Sequence, residues 1–152
     1  MDNFQVVDFS SLSETAQSLL RDAVEARKRS YCPYSNFPVG AAILTEEDAK
    51  VFWGCNIENS TLSPTICAER CAIPKAVSEG YLKFKAVAVI AHQTDFTAPC
   101  GVCRQTLNEF RGSDGDIDIY LGKPSLDKVL CTKISRLLPI SYVSYKVDNI
   151  NT

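Results

Sequence analysis

The sequence predicts an α/β protein, a three-layer α/β/α fold around one mixed five-stranded sheet. Three observations carry this expectation. Short apolar runs alternate with helical stretches in the order α, β, β, α, β, α, β, β, α. The run 84–91 is apolar at nearly every position and reads as a buried central strand. A strand followed by a helix and a further strand favours parallel pairing through right-handed crossovers, with helices on both faces of the sheet. At 152 residues the chain suits a single domain, 1–152, with a real core.

Residues 11–29 carry the first helix. Leu12, Ala16, Leu19, Leu20, Ala23 and Val24 recur at helical spacing, and Ser11 with Glu14 has the form of a capping box. Residues 30–38 hold Pro33, Asn36 and Pro38 and must be irregular. Strands are expected at 39–44 and 51–57, joined by the polar hairpin loop Thr45-Glu46-Glu47-Asp48. Pro64 is suited to the first turn of a helix, where its missing N–H costs nothing; that helix would run to Glu79 and stop at Gly80. Pro74 lies inside it and should kink or interrupt it. After the strand 84–91 and a loop to Pro99 come a helix over 100–110, strands at 117–121 and 128–131, and a short helix over 132–138 stopped before Pro139.

Composition narrows the partners. Hydrophobic residues make up 45% and charged residues 22%, ordinary for a globular protein, and the formal net charge is −2. A polyanion binder would show a basic surplus, so neither nucleic acid nor an anionic membrane is an expected partner. The basic triplet Arg27-Lys28-Arg29 closes a predicted helix, where positive charge favours the helix dipole. No apolar run approaches the roughly 20 residues that cross a bilayer, and Met1-Asp2-Asn3-Phe4 does not open like a secretory signal. A cytoplasmic location is expected. In that reducing compartment the seven cysteines, at 32, 55, 67, 71, 100, 103 and 131, more often bind metal or do chemistry than form disulfides.

Two cysteine groups stand out: Cys67-Ala68-Glu69 and Pro99-Cys100-Gly101-Val102-Cys103. Both fall at predicted helix starts, where free N–H groups and partial positive charge stabilise thiolates. The i, i+3 spacing of Cys100 and Cys103 puts both sulfurs on one helical face. Three thiolates would hold one Zn²⁺ and leave a fourth position for water, which zinc makes easier to deprotonate. Glu69, two residues after the first ligand, can shuttle that proton without occupying a coordination position. This order of ligands and acid resembles the signature of zinc nucleobase deaminases. Three thiolates and Zn²⁺ sum to −1, which works against ionising the water. Arg70 is expected to offset this by donating hydrogen bonds to the sulfurs. A structural zinc knuckle would need a fourth ligand, with Cys71 the candidate, but it leaves Glu69 and Pro99 unexplained. A redox pair at Cys100 and Cys103 needs neither Cys67 nor Glu69. His92 reads as a strand-end or loop histidine, and Cys32, Cys55, Cys71 and Cys131 as small buried side chains.

From about Glu25 to Leu138 the chain resembles the cytidine deaminase family, in particular its small zinc enzymes acting on free nucleosides. The matching segments are Tyr31-Cys32-Pro33-Tyr34-Ser35-Asn36-Phe37-Pro38-Val39-Gly40-Ala41-Ala42, Gly54-Cys55-Asn56-Ile57-Glu58-Asn59, Cys67-Ala68-Glu69-Arg70, Pro99-Cys100-Gly101-Val102-Cys103-Arg104-Gln105 and Leu137-Leu138-Pro139. The resemblance implies one zinc per subunit on Cys67, Cys100 and Cys103, with Glu69 moving protons. It implies that Asn56 and Glu58 hold ribose hydroxyls, that Phe37 lies against the pyrimidine ring, and that Ala68 also contacts substrate. It further implies a homotetramer sharing pocket residues, with Tyr34, Leu62 and Tyr142 as candidates for the shared wall. Leu62 stands where an aromatic residue is common, Tyr142 where Phe is usual, and Val143-Ser144 where Gly-Pro often follows.

The expected reaction is hydrolysis of cytidine or 2′-deoxycytidine to uridine or 2′-deoxyuridine and ammonia, a step of pyrimidine salvage. Deamination of another aminated nucleoside or of polynucleotide cytosine, and a non-catalytic zinc module, are the alternatives. Low basicity weighs against a strand substrate, and Asn56 with Glu58 weighs for a ribose.

Overall fold

The structure, a computed structural model, describes residues 4–92 and 94–143. Residues 1–3 of the opening segment and Ser144 lie outside the described residues. The elements are β1 (Gln5–Asp8), a 3₁₀ turn (Phe9–Ser11), α1 (Glu14–Arg27), β2 (Gly40–Thr45), β3 (Val51–Cys55), α2 (Ala68–Ser78), β4 (Phe84–Ile90), α3 (Gly101–Glu109), β5 (Asp118–Gly122), β6 (Lys128–Lys133) and α4 (Ile134–Leu137). No helix among the described residues is long and apolar enough to cross a membrane.

The strands form one mixed sheet in the order β1-β6-β5-β4-β2-β3. β4 and β5 run parallel, joined through α3 as the sequence predicts, and the other neighbours pair antiparallel. The three-layer α/β architecture matches the expectation, but the sheet has six strands rather than five. The additional strand, β1, pairs residue for residue with β6, from Gln5 opposite Cys131 to Asp8 opposite Lys128. Gln5, Val6 and Asp8 are exposed, so the segment has no buried stripe from which a strand could be read.

Alternation along the central strands builds both faces. Ile43, Val87 and Val89 point to one side, where they pack with Ile73 and Ala76 of α2 and Leu107 of α3. Ala42, Leu44, Ala86, Ala88 and Ile90 point to the other, against Leu19, Leu20 and Ala23 of α1. A fully buried Leu, Ile or Val contributes roughly 1.5–3 kcal/mol.

All four helices start later than expected, α3 by one residue and α4, at Ile134, by two because β6 runs on to Lys133. α1 begins at Glu14, not residue 11, and Ser13 is its cap, accepting the Ala16 N–H at 3.3 Å. Ser11 instead donates to Asp8 O at 2.7 Å within the 3₁₀ turn. α2 begins at Ala68, not Pro64. The chain ahead of it is extended because Ile66 exchanges two backbone hydrogen bonds with Ile57, at 2.9 and 3.0 Å. Pro64 therefore lies in a turn closed by the Thr65 N–H on Leu62 O. α2 then runs through Pro74 without a break.

The register fixes where a site can form. Gly40, the first residue of β2, sits opposite both Cys55 at the end of β3 and Ile90 at the end of β4. The exits of β3 and β4 and the entry to β2 therefore share one end of the sheet. α2 follows β3 and α3 follows β4, so both helices begin at that end, the usual place for ligands in open α/β sheets. Two glycines let the helices press close. A Cβ on Gly40 would lie 2.1 Å from Ala23 O of α1, and one on Gly54 would lie 2.1 Å from Ala68 O of α2.

Candidate active site

Cys67 is the N-cap of α2 and Cys100 the N-cap of α3. Cys103 is buried in the first turn of α3. Their sulfurs all lie within 4.8 Å of one another. Cys67 Sγ and Cys100 Sγ are 3.8 Å apart, and Cys100 Sγ and Cys103 Sγ are 3.4 Å apart. Zinc bound tetrahedrally at about 2.3 Å would place its sulfur ligands about 3.8 Å from one another. The donor set and its spacing therefore fit a zinc ion, and these three residues are positioned to hold one. Among the described residues the group contains no fourth side chain. Cys71 lies outside it, and burial raises its thiol pKa.

The electrostatics support metal binding. A hydrogen bond from the Cys103 thiol draws the Cys67 pKa down to about 5, and the Arg70 guanidinium adds to the effect. Cys103 moves the opposite way, upward, because it shares its proton with Cys67 and is buried. One thiolate thus forms before any cation arrives, and a dication would displace the remaining protons. Arg70 Nη2 lies 3.7 Å from Cys67 Sγ and 3.4 Å from Thr65 O, while Arg70 Nε is buried with no hydrogen-bond partner.

Glu69 is 4% exposed, in the first turn of α2. Burial is the main cause that pushes its pKa up to about 6, close to the range in which a carboxylate can both take and give a proton at neutral pH. Beside it is a cavity of about 220 Å³ lined by Phe37, Asn56, Cys67, Ala68, Glu69 and Cys100, among others. Larger hollows exist, but among the described residues the cavity of about 360 Å³ near Asp118 and Lys133 and that of about 410 Å³ between α2 and α3 hold no comparable cluster.

Asn56 and Glu58 follow β3 and hold the loop that carries Phe37. Asn56 Nδ2 donates to Phe37 O at 2.9 Å, and its Oδ1 accepts the Val39 N–H at 2.8 Å and the Ser30 hydroxyl. Glu58 Oε2 accepts the N–H groups of Tyr34 and Ser35 at 3.0 and 3.1 Å, and Oε1 accepts the Ser35 hydroxyl. The Ser35 hydroxyl is the leading cause that lowers the Glu58 pKa. These contacts leave one N–H of Asn56 and one carboxylate lone pair of Glu58 for a diol.

Tyr34, Leu62 and Tyr142 do not line the cavity. Leu62 is 73% and Tyr142 74% exposed, and Tyr142 O accepts Gln105 Nε2 at 3.0 Å, which lays that segment along α3. His92 lies in the loop after β4, apart from the thiol group. One contributor escaped the sequence reading. Arg27, taken as helix-end charge, sends its Nε to Pro38 O at 3.1 Å and Ala91 O at 2.8 Å, tying the loop before β2 to the loop after β4. No local pattern signals such a link, because both acceptors are backbone carbonyls distant in sequence.

Fold and site together have the layout of a zinc-binding deaminase. The family described as the cytidine and deoxycytidylate deaminase zinc-binding region matches residues 13–115. A cytidine deaminase of Sporosarcina psychrophila is 46% identical over 123 residues, covering 81% of this chain and 88% of that protein. One of Halalkalibacterium halodurans is 42% identical over 133 residues, covering 88% and 98%. The crystal structure of the cytidine deaminase from Burkholderia pseudomallei superposes with a TM-score of 0.76 at 39% identity, covering 86% of this chain and all of that one. The chain belongs to the cytidine deaminase family of enzymes.

Proposed function

We propose that this chain, as one catalytic domain over 1–152, hydrolyses cytidine and 2′-deoxycytidine to uridine and 2′-deoxyuridine with release of ammonia. The observation that carries the reading is Glu69, a buried carboxylate beside both the cavity and the three convergent sulfurs. Cys67, Cys100 and Cys103 hold zinc, one ion per subunit. When bound, zinc supplies a water activated for attack near neutral pH. Glu69 takes one proton from the attacking water and delivers it to ring N3 as the oxygen adds to C4. Glu69 then moves the second proton to the exocyclic nitrogen, the C4–N bond breaks and ammonia leaves. Water and substrate are thereby fully accounted for in uridine and ammonia. Phe37 packs against the pyrimidine, Ala68 borders it, and Asn56 and Glu58 offer their remaining donor and acceptor to the ribose. A free nucleoside in the cytosol, drawn from pyrimidine salvage, fits the small cavity and the net charge of −2 better than a polynucleotide.

The assembly proposed is a homotetramer. At about 220 Å³ the cavity is smaller than the roughly 300–1,000 Å³ of complete ligand pockets. Large apolar residues stand exposed in the segments next to the thiol-bearing helices: Ile57, Leu62 and Ile66 ahead of α2, Val102 in α3, and Ile140 and Tyr142 after α4. They support a wall completed by neighbouring subunits, with Tyr34, Leu62 and Tyr142 available for it.

The test is a spectrophotometric assay of the purified chain on cytidine, deoxycytidine and a cytosine oligonucleotide, with and without chelator. Turnover of the nucleosides alone, abolished by chelator and restored by Zn²⁺, is the expected result. Stoichiometric zinc with no turnover would identify a structural zinc module instead. A companion prediction concerns Arg70. Arg70→Ala should weaken zinc retention against a competing chelator or raise the pH of half-maximal rate, because a thiolate loses its neighbouring cation. A variant unchanged in both respects would remove Arg70 from the mechanism.

A further inference from the structure

Behind Phe37 lies a second ring. The His92 imidazole is parallel to the Phe37 phenyl within 4°, with centroids 5.8 Å apart, an offset-stacked geometry. The two residues come from separate loops, Phe37 from the segment entering β2 and His92 from the exit of β4. Their backbones are tied together by Arg27, whose Nε donates to Pro38 O and Ala91 O, the neighbours of the two rings. Asn56 grips the Phe37 carbonyl from a further direction. His92 is itself held, since its Nδ1 accepts the Thr94 N–H at 3.3 Å and lies 2.9 Å from Thr94 Oγ1.

These hydrogen bonds fix the Phe37 backbone, but none can fix the rotation of its phenyl ring. Phe37 is only half-buried, so the plane of its ring is set by what packs on it. The aromatic ring stacked against it is His92, which does not line the cavity. We propose that His92 is a positioning residue for the substrate base: stacked on Phe37, it holds that ring in the plane against which the pyrimidine packs. This rests on the deaminase reading above, because the plane of Phe37 matters to catalysis only when a base occupies the cavity. The role belongs to a flat aromatic side chain, not to a proton carrier or a metal ligand.

The experiment measures kcat, KM for cytidine and zinc content in the full-length protein for wild type, His92→Ala, His92→Phe, Phe37→Ala and the double variant. His92→Ala should raise KM about three- to tenfold, with kcat within about twofold of wild type and zinc undiminished. His92→Phe, which keeps a flat aromatic partner, should return KM to near the wild-type value. In the Phe37→Ala background, His92→Ala should add nothing. Should His92→Ala lose zinc, His92→Gln replaces it with the same expected KM. His92 is the sole histidine, so its imidazole proton resonances are unambiguous, and Phe37→Ala should shift them by removing the ring current. Unmoved resonances, an unchanged KM, no rescue by phenylalanine, or an equal KM rise in the Phe37→Ala background would each overturn the proposal. Absence of ammonia release by the wild type would refute the deaminase reading first and this role with it; that outcome is visible before any substitution.

Discussion

Glu69→Ala and Glu69→Gln should both retain zinc and lose nearly all turnover. The group positioned to hold the metal is three sulfurs, and Glu69 is outside it. Removing the carboxylate therefore leaves metal binding intact. What disappears is the only buried carboxylate among the described residues. It is asked to act twice, once in bringing a proton to N3 and once in protonating the leaving nitrogen. A single positioned acid or base typically contributes about 10²–10⁴-fold, so a group serving both steps belongs at the upper end of that range. Burial supports the assignment, because it pushes the Glu69 pKa up to about 6 and brings proton uptake and release within reach of neutral pH. Glutamine keeps the length and shape of the side chain but cannot carry a proton, so it separates packing from chemistry. Zinc content by a metallochromic assay and kcat by ammonia release decide the matter. Turnover close to wild type in either variant would remove Glu69 from the mechanism, while joint loss of zinc and activity would make it a structural group.

Much of the site was legible in the sequence because its parts lie at helix starts, which carry local signals. Cys67 and Cys100 were expected within helix starts and prove to be the N-caps just ahead of them, while the i, i+3 pair at the start of α3 brings two sulfurs together without help from the rest of the fold. The strand–helix–strand pattern likewise anticipated the parallel pairing of β4 and β5. Features made only by distant contacts were not legible. β1 exists because β6 offers it a free edge, and its own four residues show little pattern. The late start of α2 follows from the bridge between Ile57 and Ile66, against the helix-initiating preference of Pro64. Arg27 reads as solvated charge until two loops arrive at its guanidinium. Phe37 and His92 become neighbours only once β2 and β4 pair.

Gly54→Ala should cost both zinc and activity, although residue 54 touches neither. Gly54 lies in β3 on the face covered by α2, and a Cβ there would sit 2.1 Å from Ala68 O and 2.6 Å from Ala72 N. Both are backbone atoms of a helix, so no side-chain rotation relieves the clash, and α2 must move as a body or β3 must bend. Cys67 caps that helix and Glu69 lies in its first turn, whereas Cys100 and Cys103 ride on α3. A displacement of α2 therefore separates one thiolate and the acid from the other two sulfurs. A misplacement of about 1 Å can lower a rate about 10²-fold. Overpacking of this kind typically costs about 1–3 kcal/mol, and about 2–4 °C of Tm accompanies each kcal/mol in a chain of this size. The expected result is a folded protein with lowered Tm, substoichiometric zinc and activity down by about two orders of magnitude. Gly80→Ala is the control, since a Cβ there meets no atom within 4 Å although its φ of +96° strains an alanine. It should lower Tm yet leave zinc stoichiometry intact. If Gly54→Ala bound zinc and turned over like the wild type, the close seat of α2 on β3 would not be what aligns the two helix starts.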